Sequence, residues 1–528
     1  MFASSSRECE GPGSPRRQRS APRGLAGAAA IFLVAALVGA CSSSSVGTLS
    51  NSPFASPGQT SGPLSSEQPT VTPWATVPAP TDTPLPTVAP SPTQTSQPTY
   101  GPDPTLAPNA PFKPRSGTLE VAMGKAGPLA PAADGGAAAA TEINDFGFDL
   151  LRRLDQQGNL CVSPASIAFA LAMARAGARG QTATEMDKVL RSFGSDAQGA
   201  EIVALLKALA ADNYMQHGYD ENGNEVAVQK ARLDLANAAF AQRDMTFEQA
   251  YLNALSSRFA SGMYLVDYRS DPDAARKVIN DWVYDHTQGR IPQILGPGDI
   301  DTTTRLALAN AMYMQAHWQV PFSDSATAPA QFTRSDGSKV SVPTMSGESV
   351  DWSYASGTGW RAVDLPYEGN TMSMTIIVPD NIGSFVSGLN AASLKALWKS
   401  ERAYDVTLTL PRFHAGSHFN LSDYLSAMGM PTAFDPYAAD FSGIAPITPS
   451  SPPLYIQRVI HQANIDVDEE GTTAAAATVV YMGAGAAPPE PLPSVTLHVD
   501  RPFVFLIHDN ATGAVLFAGR IDDPSATS

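Results

Sequence analysis

A chain of 528 residues with 43% hydrophobic content is long enough to bury a large core. Its formal net charge of -16 and pI near 4.9 argue against a nucleic-acid partner or a polyanion-binding helix, since both need a basic face. Of three cysteines, Cys9 precedes an N-terminal apolar run and Cys41 ends it, so Cys161 stands alone in the body. No disulfide can then close within the folded part, and the core must hold it.

Arg7, Arg16, Arg17, Arg19 and Arg23 precede the uncharged, mostly apolar stretch from Gly24 to Ala40. A charged segment before a short apolar one reads as a secretory signal over residues 1–40 rather than a spanning helix of about 20 residues. The run ends Leu37-Val38-Gly39-Ala40-Cys41, which resembles a bacterial lipobox, and that resemblance makes Cys41 the lipidated first residue of the mature chain. A plain signal cut near Ala40 and an uncleaved anchor are the alternatives. Residues 41–118 are dominated by Ser, Thr, Pro and Gly and read as a disordered linker. In extended form about 75 such residues reach on the order of 230 Å.

The folded domain is expected over residues 119–528, with its core over 141–525. Gly117 to Met123 alternates like a short strand, and Pro131 to Ala140 reads as a flexible piece. Ile143, Phe146, Leu150, Leu151 and Leu154 are apolar at helical spacing. Ser163 before Pro164 is a helix start, serine as cap and proline in the first turn. Asn222-Gly223 is a surface turn, and Leu233 to Phe240 a buried strand. Leu306 to Phe322 reads as a strand whose central Asn310 needs a buried partner, because an unsatisfied amide costs roughly 1–3 kcal/mol. Val363 to Asp380 is a hairpin turning at Gly369-Asn370, Val406 to Phe413 a strand, Leu421 to Gly429 a helix, and Ile460 to Asp468 a strand. Three segments, beginning at Val495, Arg501 and Ala514, close the chain as strands.

Between these last groups lies Asp-Val-Asp-Glu-Glu-Gly-Thr-Thr-Ala-Ala-Ala-Ala-Thr-Val-Val, residues 466–480. It is poor in the residues that make turns. Alanine favours a helix while the flanking threonines and valines favour a strand, so the segment can be a strand or a loop. As a strand it would turn Thr472, Ala474, Ala476, Thr478, Val480 and Met482 to one face, all small or apolar. No proline interrupts it between Gly471 and Pro488.

Glu469-Glu470-Gly471-Thr472-Thr473-Ala474-Ala475-Ala476-Ala477-Thr478 closely resembles the proximal hinge of the reactive-centre loop of inhibitory serpins. Further motifs resemble the same family in the same order. They are Asn159 to Ile167 with its Ser-Pro-x-Ser; Asn280, Thr287 and Ile291; Asn310, Tyr313 and Trp318; Ala439 to Gly443; Arg501-Pro502-Phe503; and Phe517-x-Gly519-Arg520. Met314-Gln315-Ala316 departs from the usual Phe-Lys-Gly.

The resemblance implies an α+β serpin fold, with helices packed on three β-sheets and an exposed loop able to enter the central sheet. It places Ser163, Ser166, Asn310 and His461 at the shutter, where that sheet parts, with Trp318 at the breach. It implies a monomeric inhibitor that traps a serine protease, or also a cysteine protease; a non-inhibitory carrier is the rival reading. Counting from Gly471 sets the reactive bond at Gly485 and Ala486, with Met482 and Ala484 as alternatives, which suits a protease with a small or apolar primary pocket. The membrane would be met only through the lipid, outside a bacterial cell. No hydrolase motif is present, and no cofactor or metal is expected: His414 and His418 lie four apart without the glutamate of a zinc helix.

Overall fold

A computed structural model describes residues 114–154, 158–219, 225–448, 453–472 and 491–526. The signal, Cys41, most of the expected linker, the hinge residues Thr473 to Thr478, the Asn222-Gly223 turn and the reactive-bond candidates lie outside them.

In chain order the strands are β1 (Val121–Ala122), β2 (Leu160–Val162), β3 (Tyr214–Tyr219), β4 (Glu225–Gln242), β5 (Met263–Val266), β6 (Leu306–His317), β7 (Ala328–Thr333), β8 (Lys339–Gly357) and β9 (Trp360–Pro366). Then follow β10 (Met372–Pro379), β11 (Arg402–Pro411), β12 (Phe413–Asn420), β13 (Ile460–Val467), β14 (Gly471–Thr472), β15 (Ser494–His498), β16 (Phe503–Asp509) and β17 (Val515–Ile521). An 8-stranded ladder runs β1-β5-β4-β6-β14-β13-β12, with β3 on β4. A 9-stranded ladder runs β15-β11-β8-β9-β10-β16-β17-β2, with β7 on β8. Long β8 serves two sheets, pairing β7 through residues 339–344 and β9 through residues 353–357. Helices thus pack on three sheets, two of which share β8.

The central ladder is covered on both faces. Beneath it lies the main core, where Phe146 and Leu150 of helix Ala137–Arg153 and Leu171 of helix Pro164–Gly177 join Met312, Met314 and Ala316 of β6. Over the other face lies helix Pro272–His286, whose Ile279 and Trp282 pack with Phe240 and Ala309. Asn280 fixes the chain after that helix: its amide donates to the Leu295 carbonyl (2.9 Å) and accepts from the Ile294 and Leu295 amides. The Thr287 hydroxyl likewise accepts from the Ile291 amide (3.1 Å).

Three expectations change. Helix Ala137–Arg153 begins inside the stretch expected to be flexible, because Ala139 and Ala140 are fully buried and alanine pays little to become helical. The strand expected over Val406 to Phe413 divides at Arg412, because residues up to Pro411 pair with β8 while Phe413 onward pair with β13 of the central sheet. In the alternating stretch from Gly117, only Val121 and Ala122 pair, against Tyr264 and Met263 of β5. At the end of the expected linker, the Ser116 amide donates to Asp285 (2.8 Å) and the Arg115 guanidinium lies 3.5 Å from the Tyr284 ring centroid.

Candidate functional site: the seam of the central sheet

β14 runs antiparallel to both β6 and β13 and lies between them at one end of the sheet. Gly471 pairs with His317, Thr472 with Ala316 on one side and with Val467 on the other. Among the described residues no other ladder joins β6 to β13. The two run parallel, and the seam between them is headed by Gly471 and Thr472 of the hinge.

Gly471 is required there. Its φ is +153°, and a Cβ would come 2.0 Å from the Ala316 carbonyl oxygen. No side chain fits that approach. The turn before it is held from within and without. Asp468 accepts from the Glu470 and Gly471 amides (3.0 and 3.2 Å). Trp318 donates its indole N–H to the Asp468 carbonyl and its backbone N–H to that of Glu470, both at 2.9 Å. The Phe322 amide donates to the Glu469 carbonyl (3.0 Å).

Side chains complete the head of the seam. Trp318, 2% exposed, stacks on Tyr367 with centroids 4.5 Å apart and planes 9° from parallel. The Tyr367 hydroxyl bonds that of Thr472 (2.6 Å), and Thr472 is fully buried. Glu469 is also buried, and its carboxylate accepts from Arg412 (2.7 Å) and from the Thr327 hydroxyl. Burial opposes the charged form of Glu469, but Arg412 and Thr327 outweigh it and hold the carboxyl below its ordinary range. Glu470 stands 4.0 Å from His317, whose pKa is lowered by burial and by Lys230.

Further down, a polar cluster crosses beneath the seam. Ser163 caps helix Pro164–Gly177 by accepting from the Ser166 amide (3.2 Å), and its hydroxyl lies against the Met312 sulfur. The Ser166 hydroxyl donates to the Asn310 side-chain oxygen, and the Asn310 amide reaches both the Ser166 carbonyl and Asn237. The Ser163 amide donates to His461 Nε2 (3.1 Å), which leaves the ring proton on Nδ1, with no partner among the described residues. Burial, with His418 nearby, pushes the His461 pKa down to about 3. The ring is neutral at physiological pH.

The structure therefore brings Ser163, Ser166, Asn310 and His461 into one cluster and sets Trp318 with Glu469, Glu470, Gly471 and Thr472 at the head of the same seam. His414 pairs with Asp466 instead (2.5 Å). Sequence reasoning missed Tyr367, Arg412, Thr327 and Asn237. Only Asn237 carried a signal: it repeats the Ala-Asn-Ala of Asn310 in another apolar strand, and the two are register partners.

Comparison with known proteins agrees with this architecture. Residues 141–524 match the model of the family "Serpin (serine protease inhibitor)". Plasminogen activator inhibitor 1 of Neovison vison is 32% identical over 397 residues, covering 73% of this chain and 93% of that protein. Leukocyte elastase inhibitor of Xenopus laevis is 33% identical over 390 residues, covering 72% and 97%. The crystal structure of the thermophilic serpin tengpin in its native state superposes with a TM-score of 0.64 at 26% identity, covering 77% of this chain and 100% of that one. With that match, the seam between β6 and β13, and the hinge at its head, the chain belongs to the serpin family.

Proposed function

We propose that this chain inhibits serine endopeptidases as a suicide substrate, and the observation that carries the reading is the seam headed by Gly471 and Thr472. Continuing the observed register downward sets residue 474 opposite Met314, residue 478 opposite Asn310 and residue 482 opposite Leu306. Thr472 shares its buried face with Ala316, so Ala474, Ala476, Thr478, Val480 and Met482 would follow it toward the core. All fit there.

The sequence of events is physical. The protease's serine attacks the loop beyond the hinge and forms an acyl-enzyme, cutting the chain. The freed hinge then enters the seam as a strand, and backbone groups along β6 and β13 gain ladder partners. About 15 inserted residues at roughly 3.3 Å each carry the tethered protease some 50 Å. Catalytic geometry fails on misplacements of about 1 Å, so deacylation stalls.

Gly485 and Ala486 flank the proposed bond, with Met482 and Ala484 as alternatives, and the target is a protease with a small or apolar primary pocket. A relative named for leukocyte elastase accords with that choice. In this reading the inhibitor acts outside a bacterial cell on a tether lipidated at Cys41; Cys41→Ser should release it from the membrane fraction.

The test is incubation with a panel of serine proteases, followed by denaturing gels and mass spectrometry of the released C-terminal peptide. A complex stable to denaturant supports the trap, and the first residue of the peptide gives the bond. Clean cleavage without a complex across the panel would overturn it in favour of a carrier.

A further inference from the structure

Two buried carboxylates meet where three segments converge beside the Gly369-Asn370 turn. Asp212 lies between helix Gly199–Ala210 and β3, and its amide donates to the Leu209 carbonyl (3.2 Å). Asp509 ends β16, and its register partner Met372 begins β10 directly after Thr371. Asp212 is 1% and Asp509 2% exposed. No stretch of sequence joins the three residues; the fold alone sets them together.

The polar atoms they bring together are not satisfied. Asp509 and the Thr371 hydroxyl both act on the Asp212 carboxyl. Yet neither Asp212 oxygen, nor Thr371 Oγ1, completes a hydrogen bond among the described residues, and all three atoms are buried from solvent. Asp509 is engaged, its Oδ2 accepting from the Thr512 amide (2.6 Å) and hydroxyl. A buried polar atom without a partner is costly, and a buried carboxylate more so. Burial, with Asp509 beside it, pushes the Asp212 carboxyl up to about 9. A proton there would remove the charge, but its O–H finds no acceptor at hydrogen-bond distance among the described residues, and Thr371 Oγ1 stays unpartnered too.

We propose that Asp212, Thr371 and Asp509 form a binding site for a calcium ion. Ligands that are all oxygen select a hard cation over a transition metal. Asp212 offers two oxygens, Thr371 one and Asp509 at least one, and two carboxylates match a divalent charge. With both its oxygens free, Asp212 suits the bidentate grip that calcium accepts, whereas magnesium demands a near-ideal octahedron. Ligands drawn from three separate segments fit the looser geometry of calcium better.

Bound there, the ion ties the segment after the helix and the end of β16 to the turn that clamps the hinge. Asn510 already holds that turn, its amide donating to the Thr371 carbonyl (2.8 Å) and its side chain to the Asn370 carbonyl (3.1 Å). Tyr367, at the start of the turn, donates its amide to the Met372 carbonyl (3.0 Å) and bonds Thr472 through its hydroxyl. Calcium therefore steadies the seat of Tyr367 and, through it, the head of the seam. The site stands whether or not the loop inhibits a protease.

The test is calcium binding by the full chain, first stripped with a chelator, then followed by isothermal titration with calcium chloride and by thermal melting. The wild type should bind about one ion per chain, and its melting temperature should rise by a few degrees at about a hundredfold excess over the dissociation constant. Asp212→Asn keeps the side-chain shape and sets an amide opposite Asp509, so it should fold, bind calcium at least about tenfold more weakly and lose the thermal shift. Should that variant fail to fold, Thr371→Val makes the comparison: binding weakened about tenfold supports the site, and unchanged binding overturns it. A wild type that binds no calcium and melts alike with and without it overturns the proposal and leaves the carboxylate pair to a proton. Equal thermal shifts in the wild type and in Asp212→Asn also overturn it, because the ion then sits elsewhere.

Discussion

At the scale of single residues, the head of the seam depends on a glycine and the shutter on an uncharged histidine. Gly471→Ala forces a Cβ against the Ala316 carbonyl at a φ that L-residues avoid. It should destabilise the protein by about 1–3 kcal/mol, read as a lower melting temperature together with altered Trp318 fluorescence. His461 is held neutral by burial, with its pKa down to about 3 against an ordinary value of 6.5. Below pH 6.5 the unfolded chain takes up a proton that the folded one refuses. The stability contributed by the neutral ring is therefore complete above pH 6.5 and declines by about 1.4 kcal/mol per unit as pH falls toward 3. His461→Gln should remove that acid limb from a denaturation profile, and an unchanged slope would contradict the assignment. The chemistry of Asn310 was legible beforehand, because a buried amide in an apolar strand must have partners. Tyr367 was not, since nothing local marks a tyrosine before a Gly-Asn turn as the clamp on a residue 105 positions later.

At the scale of elements, periodicity and caps made most strands and helices readable, while their pairing was not. Ser163-Pro164 announced a helix and Gly369-Asn370 a turn, each from local chemistry. That Gly471 and Thr472 form a strand between β6 and β13 depends on neighbours far away in the chain, for which the hinge sequence left strand and loop equally open. The start of helix Ala137–Arg153 was hidden by an alanine run that looked like a linker until its burial was known. The end of the Ser/Thr/Pro-rich segment was hidden too: Arg115 and Ser116 are held by Tyr284 and Asp285 of the helix over the sheet and its immediate end. Asp285→Ala should expose the chain near Ser116 to limited proteolysis and leave the melting temperature within about 1 kcal/mol equivalent of the wild type. Protection unchanged from wild type would show that the contact with Asp285 does not hold this segment.

At the scale of the whole molecule, the proposed trap asks one thing of the fold: that the seam between β6 and β13, occupied at its head by Gly471 and Thr472, take in the rest of the hinge as a strand. Main core on one face and helix Pro272–His286 on the other keep that sheet dry, so backbone groups along the seam are valuable places for new hydrogen bonds. Filling it with about 15 residues, each adding on the order of 1 kcal/mol of ladder hydrogen bonding, amounts to roughly 15 kcal/mol. For a domain of this size that corresponds to a rise in melting temperature on the order of 20 °C. The most direct measurement is thus a thermal melt of the protein before and after a single cut in the loop between Met482 and Ala486, with both fragments retained. The account predicts a rise on the order of 20 °C after cleavage. An unchanged or lowered melting temperature would contradict insertion of the hinge into the seam.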